Sequence, residues 1–355
     1  MRSFSSGLAG AISAALAVVL AAGSLLQPAS AANTGLYGTQ DPSYDGVFRQ
    51  SLTIIALRSH DVAVPAAAQS WLVSQQCADG SFMAYRAAGA ACKEADLESY
   101  SGKDTNSTAI AAVALSALGK KARAAKAVEW LRAAQAADGG LPWLKGLESD
   151  ASSTALAMLA VRTTGATPFI RGKKTLVSYL RSTMLGCGAS EIQRGALAFQ
   201  KSSSLIASDM TTAQAAAALS ATFPITTQPR SSRNVALACP GGTPTTNAGL
   251  KDVMAGYLAH RLSDNKYSIP SAWGSGTDWS STSWSVLALL GARRGLNEAT
   301  AAVKQLRTHA AEAVGGESIE PGKAALLLLV IRAVDANPRN FGGINVLKQL
   351  RGALQ

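Results

Sequence analysis

The sequence predicts an all-α fold built from repeated helical hairpins. Two observations carry that prediction. A string of the form aromatic-Leu-x3-Gln-x2-Asp-Gly occurs twice in register without a gap, as Trp71-Leu72 through Gln76, Asp79, Gly80 and Ser81 to Phe82, and as Trp130-Leu131 through Gln135, Asp138, Gly139 and Gly140 to Leu141. An Asp-x-x-Ser-Thr helix start recurs at Asp104-Thr105-Asn106-Ser107-Thr108, Asp150-Ala151-Ser152-Ser153-Thr154 and Asp278-Trp279-Ser280-Ser281-Thr282, and more loosely at Asp209-Met210-Thr211-Thr212. In each, a carboxylate stands where it can accept the free N–H groups of a first helical turn.

The stretch from Asp104 to Trp143 shows one complete unit. Ala109 to Leu118 is apolar almost all round, so that helix is expected to be buried on every side. Gly119 ends it. Lys120 to Ala136 is amphipathic, with Ala124, Val128 and Leu131 on one face and Lys126 and Glu129 on the other, and is expected to lie outside the first. Such a hairpin cannot cover its own apolar face and needs copies of itself as neighbours.

The other units follow in order. Val47–Ser59 and Pro65–Gln76 form the first pair, after an aperiodic lead-in over residues 32–46. The third pair has Leu156–Val161 inside and Pro168–Met184 outside. A fourth, loop-rich pair joins Ala215–Leu219 to a helix over residues 247–262. Val286–Leu290 precedes a fifth outer helix over Leu296–Ala313, and Pro321–Val334 with Ile344–Leu354 complete about six pairs. No strand signal is convincing, and one ring-shaped domain over residues 46–354 is expected.

Composition agrees with a well-buried helical chain: of 355 residues, 48% are apolar and 15% charged. Residues 1–31 differ from the rest. Arg2, an uncharged apolar run from Leu8 to Leu26 and the closing Ala29-Ser30-Ala31 read as a secretory signal cleaved near Ala31. Ser24 stands where a lipoprotein cysteine would be required, and no second segment approaches a membrane span. A secreted, extracellular or envelope-associated protein without a transmembrane anchor is therefore expected. Removing the signal takes away Arg2 and no acid, leaving 32 basic against 22 acidic residues, a net charge of +10. In that setting the charge suits an anionic wall polymer or a membrane surface better than nucleic acid, or else a solvated exterior. Lys120, Lys121, Arg123, Lys126, Arg171, Lys173 and Lys174 are placed on outer helices, away from the mouth.

Four cysteines, an even number in an exported chain, suggest two disulfides. The preferred pairing is Cys77 with Cys92 and Cys187 with Cys239, each closing a loop between neighbouring elements. No metal site is expected, because no Cys-x-x-Cys occurs and His60, His260 and His309 lack ligand spacing. No cofactor is expected either.

The aromatic-Leu-x3-Gln-x2-Asp-Gly string with its Asp-x-x-Ser-Thr-Ala helix start resembles the prenyltransferase and squalene cyclase repeat superfamily, over nearly all of residues 46–354. The resemblance implies an α/α toroid (α6/α6 barrel), with six parallel inner helices inside six outer ones. Phe82 and Leu141 occupy the position of the final Trp in the cyclase repeat. The cyclase acid motif, Asp-x-Asp-Asp-Thr-Ala, would fall on Asp104–Ala109, where Asn106 and Ser107 replace both later carboxylates. Protonating an alkene needs a strong acid supported by a second carboxyl, which this stretch does not supply. The oxidosqualene cyclase motif, the prenyltransferase zinc set and the thioester motif are absent as well, so no catalytic residue is assigned.

With parallel inner helices, all their N-termini and the loops that enter them share one face. Those loops carry Phe82, Tyr85, Tyr100, Trp143, Trp273 and Trp279 beside Asp104, Asp150, Asp209 and Asp278. The aspartates read first as helix caps, and the aromatics either line a mouth or plug the barrel. A lined mouth suits a small hydrophobic or ring-shaped, polyhydroxylated or isoprenoid ligand held by stacking. Three functions are compatible: a secreted non-catalytic binding module; a divergent cyclase or polysaccharide-acting enzyme using paired aspartates; and a cobalamin-carrier-like domain.

Overall fold

The computed structural model describes residues 35–202, 204–220, 223–226, 244–272 and 274–355. The expected signal segment, Cys239 and Trp273 lie outside these described residues. Helices alternate inner and outer along the chain: α1 (Gly46–Ser59) with α2 (Ala66–Gln75), α3 (Thr105–Ala117) with α4 (Lys121–Ala134), and α5 (Ala151–Thr164) with α6 (Leu176–Ser182). The second half continues with α7 (Asp209–Ala218) and α8 (Asn247–Asp264), then α9 (Trp279–Ala292), α10 (Leu296–Thr308) and the short α11 (Ala310–Ala313), and ends with α12 (Pro321–Ala333) and α13 (Val346–Gly352).

The inner helices close a ring. α1 packs on α3, α3 on α5, α5 on α7, α7 on α9, α9 on α12, and α12 returns to α1. Each is buried on nearly every side because one flank meets its outer partner and two meet ring neighbours. In α3 the run Ala109 to Leu115 is fully buried. Alanine is the commonest residue of α3, α5 and α7, which lets these helices approach their ring neighbours closely. The outer helices bury one face only, as α4 does with Ala124, Ala127, Val128 and Leu131.

The ring is sealed by its ends. Gly35 N–H donates to Gln355 C=O at 2.7 Å, Gln355 N–H to Leu36 C=O at 3.0 Å and Gly38 N–H to Ala353 C=O at 2.8 Å. The segment at residues 35–38, expected as part of a loose lead-in, is thus a short β-bridged clasp on the last helix, with Tyr37 opposite Leu354. Buried Gln50 of α1 holds it from inside, accepting from Tyr37 N–H at 2.9 Å and donating to Gly35 C=O at 2.7 Å.

The repeated string has a local reason. Gln76 and Gln135 donate to Gly80 C=O and Gly139 C=O, closing the turn that follows each outer helix. Asp79 and Asp138 accept N–H two residues on, from Ser81 and Gly140. Gly80 has φ +97° and its α-carbon faces Lys126 C=O so closely that a β-carbon would fall 2.4 Å from that oxygen. Phe82 and Leu141 then enter the core, both fully buried.

Several expectations need correction. Among the described residues four two-residue antiparallel ladders occur, of which Phe82–Met83 with Lys103–Asp104 and Leu141–Pro142 with Ser149–Asp150 guide the chain into α3 and α5. They are too short to leave a period-2 signal. The expected helix over Pro168–Met184 shortens to α6, because residues 170–175 turn back as a hairpin through Gly172 at φ +60°. Arg171, Lys173 and Lys174 lie in that hairpin rather than on a helix, and are exposed. Asp209 does not cap α7; Ser208 does, accepting from Thr211 N–H at 3.4 Å.

Cys77 and Cys92 form a disulfide across the loop before α3. Cys187 is disulfide-bonded as well. No helix of the described residues is long and apolar enough to cross a membrane.

Candidate functional site at the inner-helix N-termini

The Asp-x-x-Ser-Thr starts are first of all joints. Asp104, Asp150 and Asp278 each accept the backbone N–H three residues on, at 2.7, 2.7 and 2.9 Å. The threonine four residues after the cap completes the joint. Thr108, Thr154, Thr212 and Thr282 donate to the cap residue's C=O at 2.6, 2.7, 2.6 and 2.8 Å. The same four oxygens accept from Phe82, Leu141, Leu197 and Ile269 N–H at 2.8–2.9 Å. Four incoming loops are thereby stapled to four inner helices at one end of the ring, which fixes the floor on which the exposed loops stand.

Two hollows open on that face. The central one encloses about 360 Å³ and is lined by the first two turns of α1, α7, α9 and α12 and the chain before α1, including Asp45, Arg49, Gln214, Trp284 and Lys323. Arg49 is buried here and spends its guanidinium on the chain before α1, donating to Tyr37 C=O at 2.9 Å, Gln40 C=O at 2.7 Å and the Asp45 carboxylate at 2.6 Å. Gln40 and Gln214 each line this hollow with a buried side-chain oxygen that has no hydrogen-bond partner. Such an atom gains about 1–3 kcal/mol when a ligand donor satisfies it.

The second hollow, about 170 Å³, brings together Tyr44, Tyr85, Tyr100, Asp104 and Trp143. Ser43 and Tyr44 line it while Asp45 lines the central one, so the turn before α1 divides the two. Tyr100 is 56% exposed, holds φ at +49° and lies flat on Trp143, with ring centroids 6.2 Å apart and planes 6° from parallel. Tyr85 stacks on Trp71. Four of the nine sequence candidates therefore meet in one place: Tyr85, Tyr100, Asp104 and Trp143.

Asp104 is the floor of this hollow and is only 2% exposed. Burial pushes its carboxyl up to about 6, against hydrogen bonds from Ser107, Asn106 and the Trp143 side chain that favour the ionised form. Burial likewise raises Asp150 to about 6, opposed by Ser153, Trp143 N–H and Ser152. Trp143 thus touches both aspartates, and its C=O accepts Thr105 N–H at 2.9 Å.

The other described candidates, Asp150, Asp209, Asp278 and Trp279, line neither hollow. Asp150 is buried at its cap. Asp209 pairs with Arg261 at 3.1 Å and accepts from Tyr257 Oη at 2.5 Å. Asp278 caps α9 and accepts from Ser281 Oγ at 2.5 Å. Trp279 stacks on His309 at 5.1 Å. Arg49, Gln40, Gln214, Trp284 and Lys323 belong to no repeated motif, and sequence reasoning missed them. The only available signal was that they occupy the first two turns of inner helices or the chain just before them. Among the described residues no cluster of His, Cys, Asp and Glu could hold a metal ion.

Six inner helices closed on themselves, sleeved by outer partners and jointed at one end, define an α/α toroid. Residues 36–186 match the prenyltransferase alpha-alpha toroid domain. That match covers α1 to α6, the first half of the ring, and supports a place in the prenyltransferase/squalene cyclase-like superfamily. Among solved structures it is similar to a protein from Actinoplanes, at 13% identity and a TM-score of 0.52, covering 84% of this chain and 92% of that one. It is also similar to the apo type II terpene cyclase MstE from Scytonema, at 13% identity and a TM-score of 0.50, covering 84% of this chain and 90% of that one. At that identity the likeness is one of fold. Among curated proteins no sequence matches.

Proposed function

We propose that this toroid is a secreted, non-catalytic binding module that holds a ring-shaped, polyhydroxylated ligand, a glycan of the cell envelope, on the aromatic hollow above Asp104. The exposed, coplanar pair Tyr100 and Trp143, flanked by Tyr44 and Tyr85, carries this reading. Flat rings accept the apolar face of a sugar by stacking, and polar groups beside them meet its hydroxyls. The unpartnered oxygens of Gln40 and Gln214 in the neighbouring hollow offer acceptors to a second sugar unit.

The non-catalytic part rests on how Asp104 is used. Its carboxylate is occupied in capping α3 and stands at about 6, which makes it a weak acid, ionised for the most part at neutral pH. An alkene demands a far stronger one. The same raised value at a hollow also favours a second reading, in which Asp104 serves as a general acid on a more basic oxygen. Export after cleavage near Ala31 belongs to the proposal; the disulfides are compatible with an oxidising compartment.

Binding of soluble wall fragments, corrinoids and polyprenyl compounds to the purified mature chain tests it, by native mass spectrometry and calorimetry. Glycan binding that is lost in Tyr100→Ala and Trp143→Ala, and kept in Asp104→Asn, is the expected result. Turnover of any of these compounds that Asp104→Asn abolishes would replace the binding module by an enzyme, and retention of a corrinoid would replace the glycan.

A further inference from the structure

A third hollow, of different chemistry, lies where the N-terminal clasp meets the last helix. It encloses about 530 Å³ between residues 37, 65 and the segment from Arg339 to Gly352, and Arg339, Lys348 and Arg351 line it. All three are exposed, and none has a carboxylate within 4.0 Å among the described residues. The last two acids of the sequence are committed elsewhere: Glu320 pairs with Lys323 at 2.7 Å and Asp335 with Arg332 at 3.9 Å. Three like charges gathered without an acid repel one another, and an arrangement of this kind is relieved by a bound anion.

Tyr37 supplies an independent observation. It also lines the hollow, is fully buried, and its hydroxyl has no hydrogen-bond partner. Buried polar groups left unpaired in this way are rare and costly. The backbone at Tyr37 is fixed, since its N–H donates to Gln50 and its C=O accepts from Arg49, and the ring it carries is fully buried. Burial pushes this phenol up to about 12, with the positive charge of Arg351 acting against the rise. It therefore stays protonated at any physiological pH and can only donate to an anion, not compete with it.

We propose that this hollow is a binding site for a phosphate group, with Arg339, Lys348 and Arg351 supplying charge and the Tyr37 hydroxyl supplying a directed hydrogen bond. Two guanidinium forks match the tetrahedral oxygens of phosphate, and three charges suit a doubly charged group better than a single carboxylate. The site is independent of the aromatic hollow, so it stands or falls without the glycan reading. It gives the basic composition of the mature chain one specific use.

Calorimetric titration of the purified mature chain with inorganic phosphate and with glycerol 3-phosphate, at low and at physiological salt, tests the site. Saturable one-to-one binding is expected. Lys348→Gln/Arg351→Gln should weaken it by at least about tenfold. Tyr37→Phe should weaken it several-fold while leaving thermal stability unchanged or higher, because the hydroxyl it removes has no partner in the free protein. A charge-matched control on the outer ring, Lys121→Gln/Arg123→Gln, should bind like the parent. Vesicles containing phosphatidylglycerol distinguish a lipid headgroup from a soluble or polymer-borne phosphate, and the same variants should abolish vesicle binding if the headgroup is the source. Absence of saturable binding at low salt, equal binding of acetate, or equal weakening by the control pair would each overturn the proposal.

Discussion

Thr108 ties Phe82 to the start of α3: its hydroxyl accepts the Phe82 N–H at 2.9 Å and donates to Asp104 C=O at 2.6 Å. Both atoms it serves are buried. Thr108→Val keeps the shape and strands the Phe82 N–H, for an expected loss of about 1–3 kcal/mol, whereas Thr108→Ser should retain most of it. Thr154→Val should cost a similar amount at Leu141. The two joints belong to different hairpins, so their losses should add in chemical denaturation.

The Asp104 carboxyl predicts a pH dependence. Its folded value, about 6, lies above the ordinary 3.8, so between those values the folded state binds the proton more tightly than the unfolded one. Stability from this group is therefore greatest at or below about pH 4 and falls as pH rises toward 6. Asp150 acts in the same direction over the same window. Asp104→Asn keeps a side-chain oxygen for the Ser107 N–H and cannot ionise. It should lose little or nothing at pH 7 and flatten the decline between pH 4 and 6 in urea denaturation, while Asp104→Ala should be destabilised throughout.

That joint also shows what the sequence made readable. An apolar run preceded by Asp-x-x-Ser-Thr is a local signal, because a cap and the helix it starts are neighbours in the chain, and the inner helices could be placed within a few residues. At the fourth start the aspartate misled, since Asp209 lies one residue inside α7. Counting back four from Thr212, the residue that bonds to the incoming loop, gives Ser208 and the correct cap. The aromatic hollow was legible in part, because Tyr85, Tyr100, Asp104 and Trp143 sit in loops that enter or flank one inner helix. The central hollow was not. Its lining converges from α1, α7, α9 and α12, and only closure of the ring makes Arg49, Gln214 and Lys323 neighbours.

The Cys77–Cys92 bond spans 15 residues and holds the loop that presents Tyr85 to the aromatic hollow. Constraining an unfolded loop of this length is worth about 3 kcal/mol. Cys77→Ser/Cys92→Ser should lower stability by up to that amount. Because Phe82 stays anchored by Thr108, amide exchange should rise chiefly over residues 84–95 rather than in α3.

Asp209 does structural work that its place in the series of helix starts conceals. It receives the hydroxyl of buried Tyr257 at 2.5 Å and the guanidinium of Arg261 at 3.1 Å, joining α7 to α8. Asp209→Ala leaves both donors without their acceptor, and a loss of about 2–4 kcal/mol is expected, more than for removal of an exposed ion pair. Tyr257→Phe combined with Asp209→Ala should recover part of it, since one stranded hydroxyl is then gone. Thermal denaturation of the four proteins in this cycle measures the coupling.

Tyr100 separates the needs of the fold from those of the site. At φ +49° it occupies the left-handed region that costs a non-glycine residue about 1 kcal/mol or more, and its ring stands in solvent rather than in the core. Nothing in its packing demands that cost except the flat contact with Trp143. Tyr100→Gly should therefore be as stable as the parent or up to about 1 kcal/mol more so, and Tyr100→Ala, which keeps the strained backbone and loses the stacking, should be the least stable of the three. Both variants should lose glycan binding. If Tyr100→Gly instead unfolds readily, the ring is holding the loop together, and its exposure reflects packing rather than readiness for a ligand.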